Sequence, residues 1–138
     1  METINMKIMR YLNLLNEVSR VRTTKCFFYN NTLFFAVPPA KISQAIGPGG
    51  NNIKEISRKL RMKIRIMKDA KDLNDAKRFL EDIVKPLTFT SLEIKDDEII
   101  ITAGSRTNRA SLFGRYKKRL EELKKITEFS FKKELVII

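Results

Sequence analysis

The stretch Ile46-Gly47-Pro48-Gly49-Gly50-Asn51-Asn52-Ile53 decides how this chain is read. Three glycines in four positions exceed what a simple reversal needs. Glycine is required where φ turns positive or where another group must come close to the backbone. The residues from Asn51 to Leu60 place Ile53, Ile56 and Leu60 on one face, a helical spacing. A helix starting at Asn51 turns its backbone N–H groups and positive dipole end towards the glycines, an arrangement that suits a phosphate. The loop is not a Walker loop, because the Lys-Ser/Thr pair is missing and no strand leads directly into the glycines. It is not a dinucleotide fingerprint either, which needs a strand before it.

Working outward, Lys54, Arg58 and Arg61 follow at i, i+4 and i+7, on a face apart from the apolar one. Upstream, Ala40 to Ile46 reads as a short helix after Pro38-Pro39. Downstream, Met62 to Met67 alternates as a half-buried strand, with Met62, Ile64 and Ile66 inward and Lys63 and Arg65 outward. Ahead of this lies a hairpin, Cys26 to Val37, folded about Asn30-Asn31. Both of its faces are apolar, so Phe27, Phe28, Phe34 and Phe35 are expected in the core. An amphipathic helix precedes it, with Ile4, Ile8, Tyr11, Leu12, Leu15 and Val18 at 3.6-residue spacing.

The pattern then repeats. Leu73, Ala76, Leu80, Ile83 and Val84 make a second amphipathic helix, begun by Asp69, Asp72 and Asp75 and ended by Pro86. Leu92 to Ala103 forms a hairpin about Asp96-Asp97. Ser105 to Phe113 and Arg115 to Ile126 read as helices, and Thr127 to Phe131 as a strand; the tail Leu135 to Ile138 is expected to pair as part of a strand. Each half thus predicts αββααβ: residues 1–68 with an intact GPGG loop, residues 69–138 with a degenerate one. Gly47 aligns with Gly114, and the second loop is Gly114-Arg115-Tyr116-Lys117. Two readings of it stand. Arg115, Lys117 and the helix start could still meet a phosphate; or Leu112, Tyr116, Leu120 and Leu123 form one apolar stripe of plain core.

The 138 residues carry 28 Lys plus Arg against 16 Asp plus Glu, a net charge of +12, which points to a polyanion. The excess is uneven. Residues 1–68 hold 13 basic and 3 acidic residues, net +10; residues 69–138 hold 15 and 13, net +2, with bases gathered at Arg106, Arg109, Arg115, Lys117, Lys118 and Arg119. The chain has no histidine and one cysteine, Cys26, which excludes a Ser-His-Asp triad, a Cys-His dyad, a His-bearing zinc site and an internal disulfide. No cofactor, metal or catalytic residue is expected. Apolar runs such as Leu33 to Val37 are too short for a membrane span. The start, Met1-Glu2, lacks the pattern of a secretory leader. A reducing, cytoplasmic setting is the simplest expectation.

The Ile46–Ile53 motif, set between two helices in a βααβ frame with a basic helix, resembles the KH domain, whose GxxG loop clamps the backbone of about four nucleotides. An αβ extension ahead of that core resembles the type II arrangement. Two such units filling a short chain resemble the archaeal NusA-like proteins. The resemblance implies an α+β fold of two tandem type II KH domains, each with a three-stranded sheet packed by helices. It implies a single-stranded RNA partner, a role in transcription termination or antitermination, RNA polymerase as a further partner, and a monomer. It places RNA along Ile46, Gly47, Pro48, Gly49, Gly50, Asn51, Asn52, Ile53, Lys54, Arg58 and Arg61, with a second stretch at Gly114, Arg115, Lys117 and Lys118. A role in rRNA processing or ribosome assembly, or as a protein-interaction adaptor of the transcription machinery, is the alternative.

Overall fold

A computed structural model describes residues 5–138, so Ile4 of the first amphipathic pattern lies outside the described residues. The chain divides into two compact units, the first ending at Asp69 and the second running Ala70–Ile138.

In the first unit, helix α1 (Met6–Ser19) is capped by Asn5, whose side chain accepts a hydrogen bond from the Ile8 N–H at 2.9 Å. It ends at Arg20, which turns left-handed (φ 64°) and donates its N–H to Asn16 O. Strands β1 (Lys25–Tyr29) and β2 (Thr32–Val37) then pair antiparallel. Their link, Asn30-Asn31, holds φ of 51° and 58°, the two successive positive values of a hairpin turn whose twist matches the strands. A crossover through α2 (Ile42–Ile46) and α3 (Asn51–Leu60) brings β3 (Lys63–Lys68) parallel to β2, with Leu33 opposite Ile64 and Phe35 opposite Ile66. The sheet order is β1-β2-β3.

Alternation along β2 sends Leu33, Phe35 and Val37 towards the helices, where Leu15, Cys26, Ala45, Ile56 and Ile64 complete the core. Phe34, on the opposite face, is also buried. Phe27 stacks on it (centroids 5.4 Å, planes 10° apart), and the Arg65 guanidinium lies 5.1 Å from its ring. Arg65 therefore covers an aromatic face with its cation instead of simply pointing into water. The expected aromatic core is thus only partly formed: Phe34 and Phe35 are buried, Phe27 is half-buried, and Phe28 is 40% exposed, edge-on to Tyr11.

The second unit repeats this order. A tight turn at Leu73–Asp75 leads into α4 (Ala76–Val84), which stops before Pro86. Strands β4 (Ser91–Lys95) and β5 (Glu98–Thr102) pair antiparallel. Helices α5 (Arg106–Phe113) and α6 (Lys118–Phe131) cross over to β6 (Glu134–Ile137), parallel to β5, with Ile99 opposite Leu135 and Ile101 opposite Ile137. The sheet order is β4-β5-β6.

Two expectations are corrected in this unit. Residues 127–131 are the last turns of α6, not a strand, and the strand is Glu134–Ile137. Thr127 and the aromatic pair Phe129 and Phe131 favour a strand by propensity. Packing decides otherwise: Leu123, Ile126 and Thr127 are buried on one helical face, and Phe131 meets Phe79 edge-on at 5.5 Å. Helix α6 also begins at Lys118, not Arg115, because Tyr116 and Lys117 adopt left-handed backbone.

Candidate nucleic-acid interface

The glycine loop is built by α2 ending and α3 beginning in a single tight turn. Gly47 closes α2 with its N–H on Ser43 O (2.9 Å), and the Gly50 N–H returns to Gly47 O at 3.0 Å. Gly47 sits at φ 80°, ψ 164°, a region essentially reserved for glycine. A Cβ there would lie 2.7 Å from Asn52 Cγ and 3.0 Å from the Asn52 backbone nitrogen. The Asn52 side chain is held in place because its Nδ2 donates to Gln44 O at 2.9 Å. Asn52 therefore ties α2 to α3, and Gly47 is glycine because the turn leaves no room.

Gly49 (φ 61°) and Gly50 (φ 76°) differ. A Cβ at either would meet nothing within 4 Å. The space on that side is open among the described residues, so a group from outside can approach the backbone there. Just beyond, α3 starts without a side-chain cap, whereas α1 is capped by Asn5 and α5 by Ser105. The Gly50 and Asn51 N–H groups return to Gly47 O and Pro48 O, so what the start of α3 offers an external anion is its positive dipole end and not a row of free donors. Pro48, Gly49 and Asn51 are exposed, and Ile46, Gly50 and Ile53 are half-buried.

Lys54, Arg58 and Arg61 are all exposed and make no ion pair among the described residues. Lys54 and Arg58 are one turn apart, and Arg61 caps the end of the helix in left-handed conformation (φ 55°). At 1.5 Å of rise per residue, the stripe reaches about 15 Å from the loop. Lys59, by contrast, is paired with Glu55 at 3.3 Å.

The second loop has the same backbone. Gly114 is at φ 74°, ψ 173°, Tyr116 at φ 57°, ψ 27°, and Lys117 at φ 60°, ψ 23°. These match Gly47, Gly49 (φ 61°, ψ 20°) and Gly50 (φ 76°, ψ 17°) in turn. The hydrogen bonds match too: the Gly114 N–H donates to Ala110 O (3.0 Å), and the Lys117 N–H to Gly114 O (3.1 Å). A Cβ on Gly114 would collide with Arg119, which stands where Asn52 does and pairs with Glu122 at 2.9 Å. Tyr116 is 94% exposed, so the apolar stripe through Leu112, Tyr116, Leu120 and Leu123 does not exist; the other three are buried without it. Arg115, Lys117 and Lys118 are exposed beside the uncapped start of α6. Two consecutive side-chain-bearing residues in left-handed backbone cost about 1–2 kcal/mol each.

Sequence reading missed the conformational identity of the two loops. Its signal was the retained Gly114; what hid it was the loss of the later glycines, which ordinarily mark positive φ.

Cys26 is buried, and burial pushes its thiol up to about 12. The thiolate is the reactive form. The folded chain at pH 8 is therefore expected to leave Cys26 unmodified by iodoacetamide while the denaturant-unfolded chain is fully alkylated, as read by mass. Among the described residues, no helix is long and apolar enough to cross a membrane, and no three His, Cys, Asp or Glu side chains group so as to hold a metal ion.

Residues 32–81 match the family model described as "KH domain", a stretch that takes in β2, α2, the glycine loop, α3 and β3 and extends into α4. A solved structure described as "Crystal structure of APE1850" covers 98% of this chain, with 100% of its own length matched and a TM-score of 0.70. At 22% sequence identity, that likeness is one of fold. No curated protein matches the chain. The loop and its βααβ frame thus lie within the stretch of this mixed α+β chain, residues 32–81, at which a KH domain is found.

Proposed function

We propose that this chain is a non-catalytic single-stranded RNA-binding protein built of two tandem KH units, residues 1–68 and 69–138. The observation that carries this reading is the open side of Gly49 and Gly50. Positive φ, with no described residue within 4 Å of where a Cβ would stand, leaves a backbone surface open to an outside group. Phosphates lie along Gly47 to Gly50 and the start of α3, neutralised by Lys54 and Arg58, with Arg61 further along. Bases lie against the half-buried Ile46 and Ile53, their edges free to be read. Gly114, Arg115, Lys117 and Lys118 offer a second phosphate contact on the same backbone frame.

The test is a titration of the full chain with labelled RNA at several salt concentrations. Phosphate contacts release counterions, so log affinity should fall linearly with log salt, with a slope of about −0.7 per phosphate neutralised on a single strand. Lys54→Ala combined with Arg58→Ala should make that slope shallower by one to two contacts. Duplex RNA of the same sequence should bind more weakly. Affinity indifferent to salt, or equal for the duplex, contradicts the reading.

The resemblance to archaeal NusA-like proteins supports a role in transcription termination or antitermination in the cytoplasm, with RNA polymerase as a partner of a monomeric chain. Co-purification with polymerase after RNase treatment tests it; recovery with pre-ribosomal particles instead would assign the chain to ribosome assembly.

A further inference from the structure

The second loop keeps a demanding backbone and places an aromatic ring on it. Tyr116 holds the position of Gly49, at φ 57°, and its ring is 94% exposed. It makes no hydrogen bond or ring contact among the described residues. A turn alone would be met more cheaply by glycine, which pays no Cβ cost at positive φ. Nothing within the second unit returns that cost.

The surroundings are equally specific. Tyr116 borders an open recess of about 560 Å³ whose other walls include Arg106, Arg109, Phe113 and Lys117. The Arg109 guanidinium lies 4.5 Å over the Phe113 ring, and its Nε–H donates to Ile137 O at 3.3 Å, so this cation is held against a flat aromatic wall. From Arg106 to Arg119 there are six basic residues and no acid, although the unit as a whole is near neutral. A flat exposed ring, a held guanidinium and a cationic recess without a carboxylate together suit a nucleobase carrying a phosphate.

We infer that the second loop binds a single nucleotide of the RNA strand through side chains, the base stacking on Tyr116 and the phosphate meeting Arg106, Arg109 and Lys117. Backbone approach, used at Gly49 and Gly50, is replaced by an aromatic platform at the same place in the loop. This rests on the proposal that the chain binds single-stranded RNA.

The chain has no tryptophan, so Tyr116→Trp provides a single indole reporter at the loop. Titrating the full-length variant with single-stranded RNA should quench its emission, saturating at the concentration where labelled-RNA anisotropy saturates. In the otherwise unchanged chain, Tyr116→Phe should bind within twofold of the parent. Tyr116→Ala should bind about tenfold more weakly, as expected for one lost base stack. Tyr116→Gly separates stacking from folding: it should lose the same affinity while melting a few degrees higher, because glycine relieves the left-handed position. RNA binding with a silent indole, or Tyr116→Ala and Tyr116→Gly both within twofold of the parent, overturns this inference and leaves the first-loop reading standing. A parent chain that binds no single-stranded RNA overturns both.

Discussion

Replacing Pro48 and Gly49 together by aspartate is expected to reduce affinity for single-stranded RNA by at least thirtyfold while leaving the fold intact. The substitution sets two carboxylates on the open side of the loop, where a phosphate would sit against the uncapped start of α3. A charge-assisted hydrogen bond is worth about 1.5–3 kcal/mol, and repulsion adds to its loss. Thirtyfold corresponds to roughly 2 kcal/mol, the lower part of that range. The structural cost is small. Pro48 is exposed, and a Cβ on Gly49 meets nothing within 4 Å. Aspartate is among the residues that tolerate left-handed backbone, at about 1 kcal/mol. Anisotropy with a labelled oligonucleotide reads the affinity, and a circular dichroism melt checks the fold. Unchanged affinity in a folded variant would remove the glycine loop from the binding surface.

Gly47→Ala is expected to act in the opposite way, on the fold before the ligand. Its Cβ would fall 2.7 Å from Asn52 Cγ and 3.0 Å from the Asn52 backbone nitrogen. The first turn of α3 cannot retreat, because Asn52 is bound to Gln44 and Ile56, one turn on, is fully buried. The backbone at φ 80°, ψ 164° is itself closed to other residues. Strain and collision together should cost about 2–4 kcal/mol, a large share of the roughly 5–15 kcal/mol that holds a domain together. Gly49→Ala, with positive φ but open space, should cost only about 1 kcal/mol. Denaturant midpoints compare the two; if Gly47→Ala were no worse than Gly49→Ala, the division between a structural and an exposed glycine would be wrong.

Much of this architecture was legible in the residues. Asn30-Asn31 and Asp96-Asp97 between strand-forming runs announced the hairpins, and Pro86 announced the end of α4. The register between Gly47 and Gly114 located the second loop. What escaped did so for physical reasons. Thr127, Phe129 and Phe131 carry strand propensity, and it is packing, the buried face of Leu123, Ile126 and Thr127 and the contact of Phe131 with Phe79 about fifty residues away, that keeps the segment helical. For Tyr116 the spacing leaves both an apolar stripe and an exposed loop position open, since a side chain's direction in a left-handed turn follows from φ and not from spacing. For the site, residue types located the loop and the basic stripe. The open side of Gly49 and Gly50, the binding of Asn52 within the chain and the recess beside Tyr116 depend on three-dimensional placement alone.

The central claim, that RNA is held at the glycine loop and the helix it opens, is tested most directly by mapping backbone amide shifts in the 16.1 kDa chain as single-stranded RNA is added. The largest changes should fall on Gly47, Gly49, Gly50, Asn51 and Asn52 and along α3 to Arg58, with a second group at Gly114 to Lys118. Saturating binding that leaves the Gly47–Asn52 amides unmoved, with changes gathered instead on the β4–β5 hairpin, would contradict it.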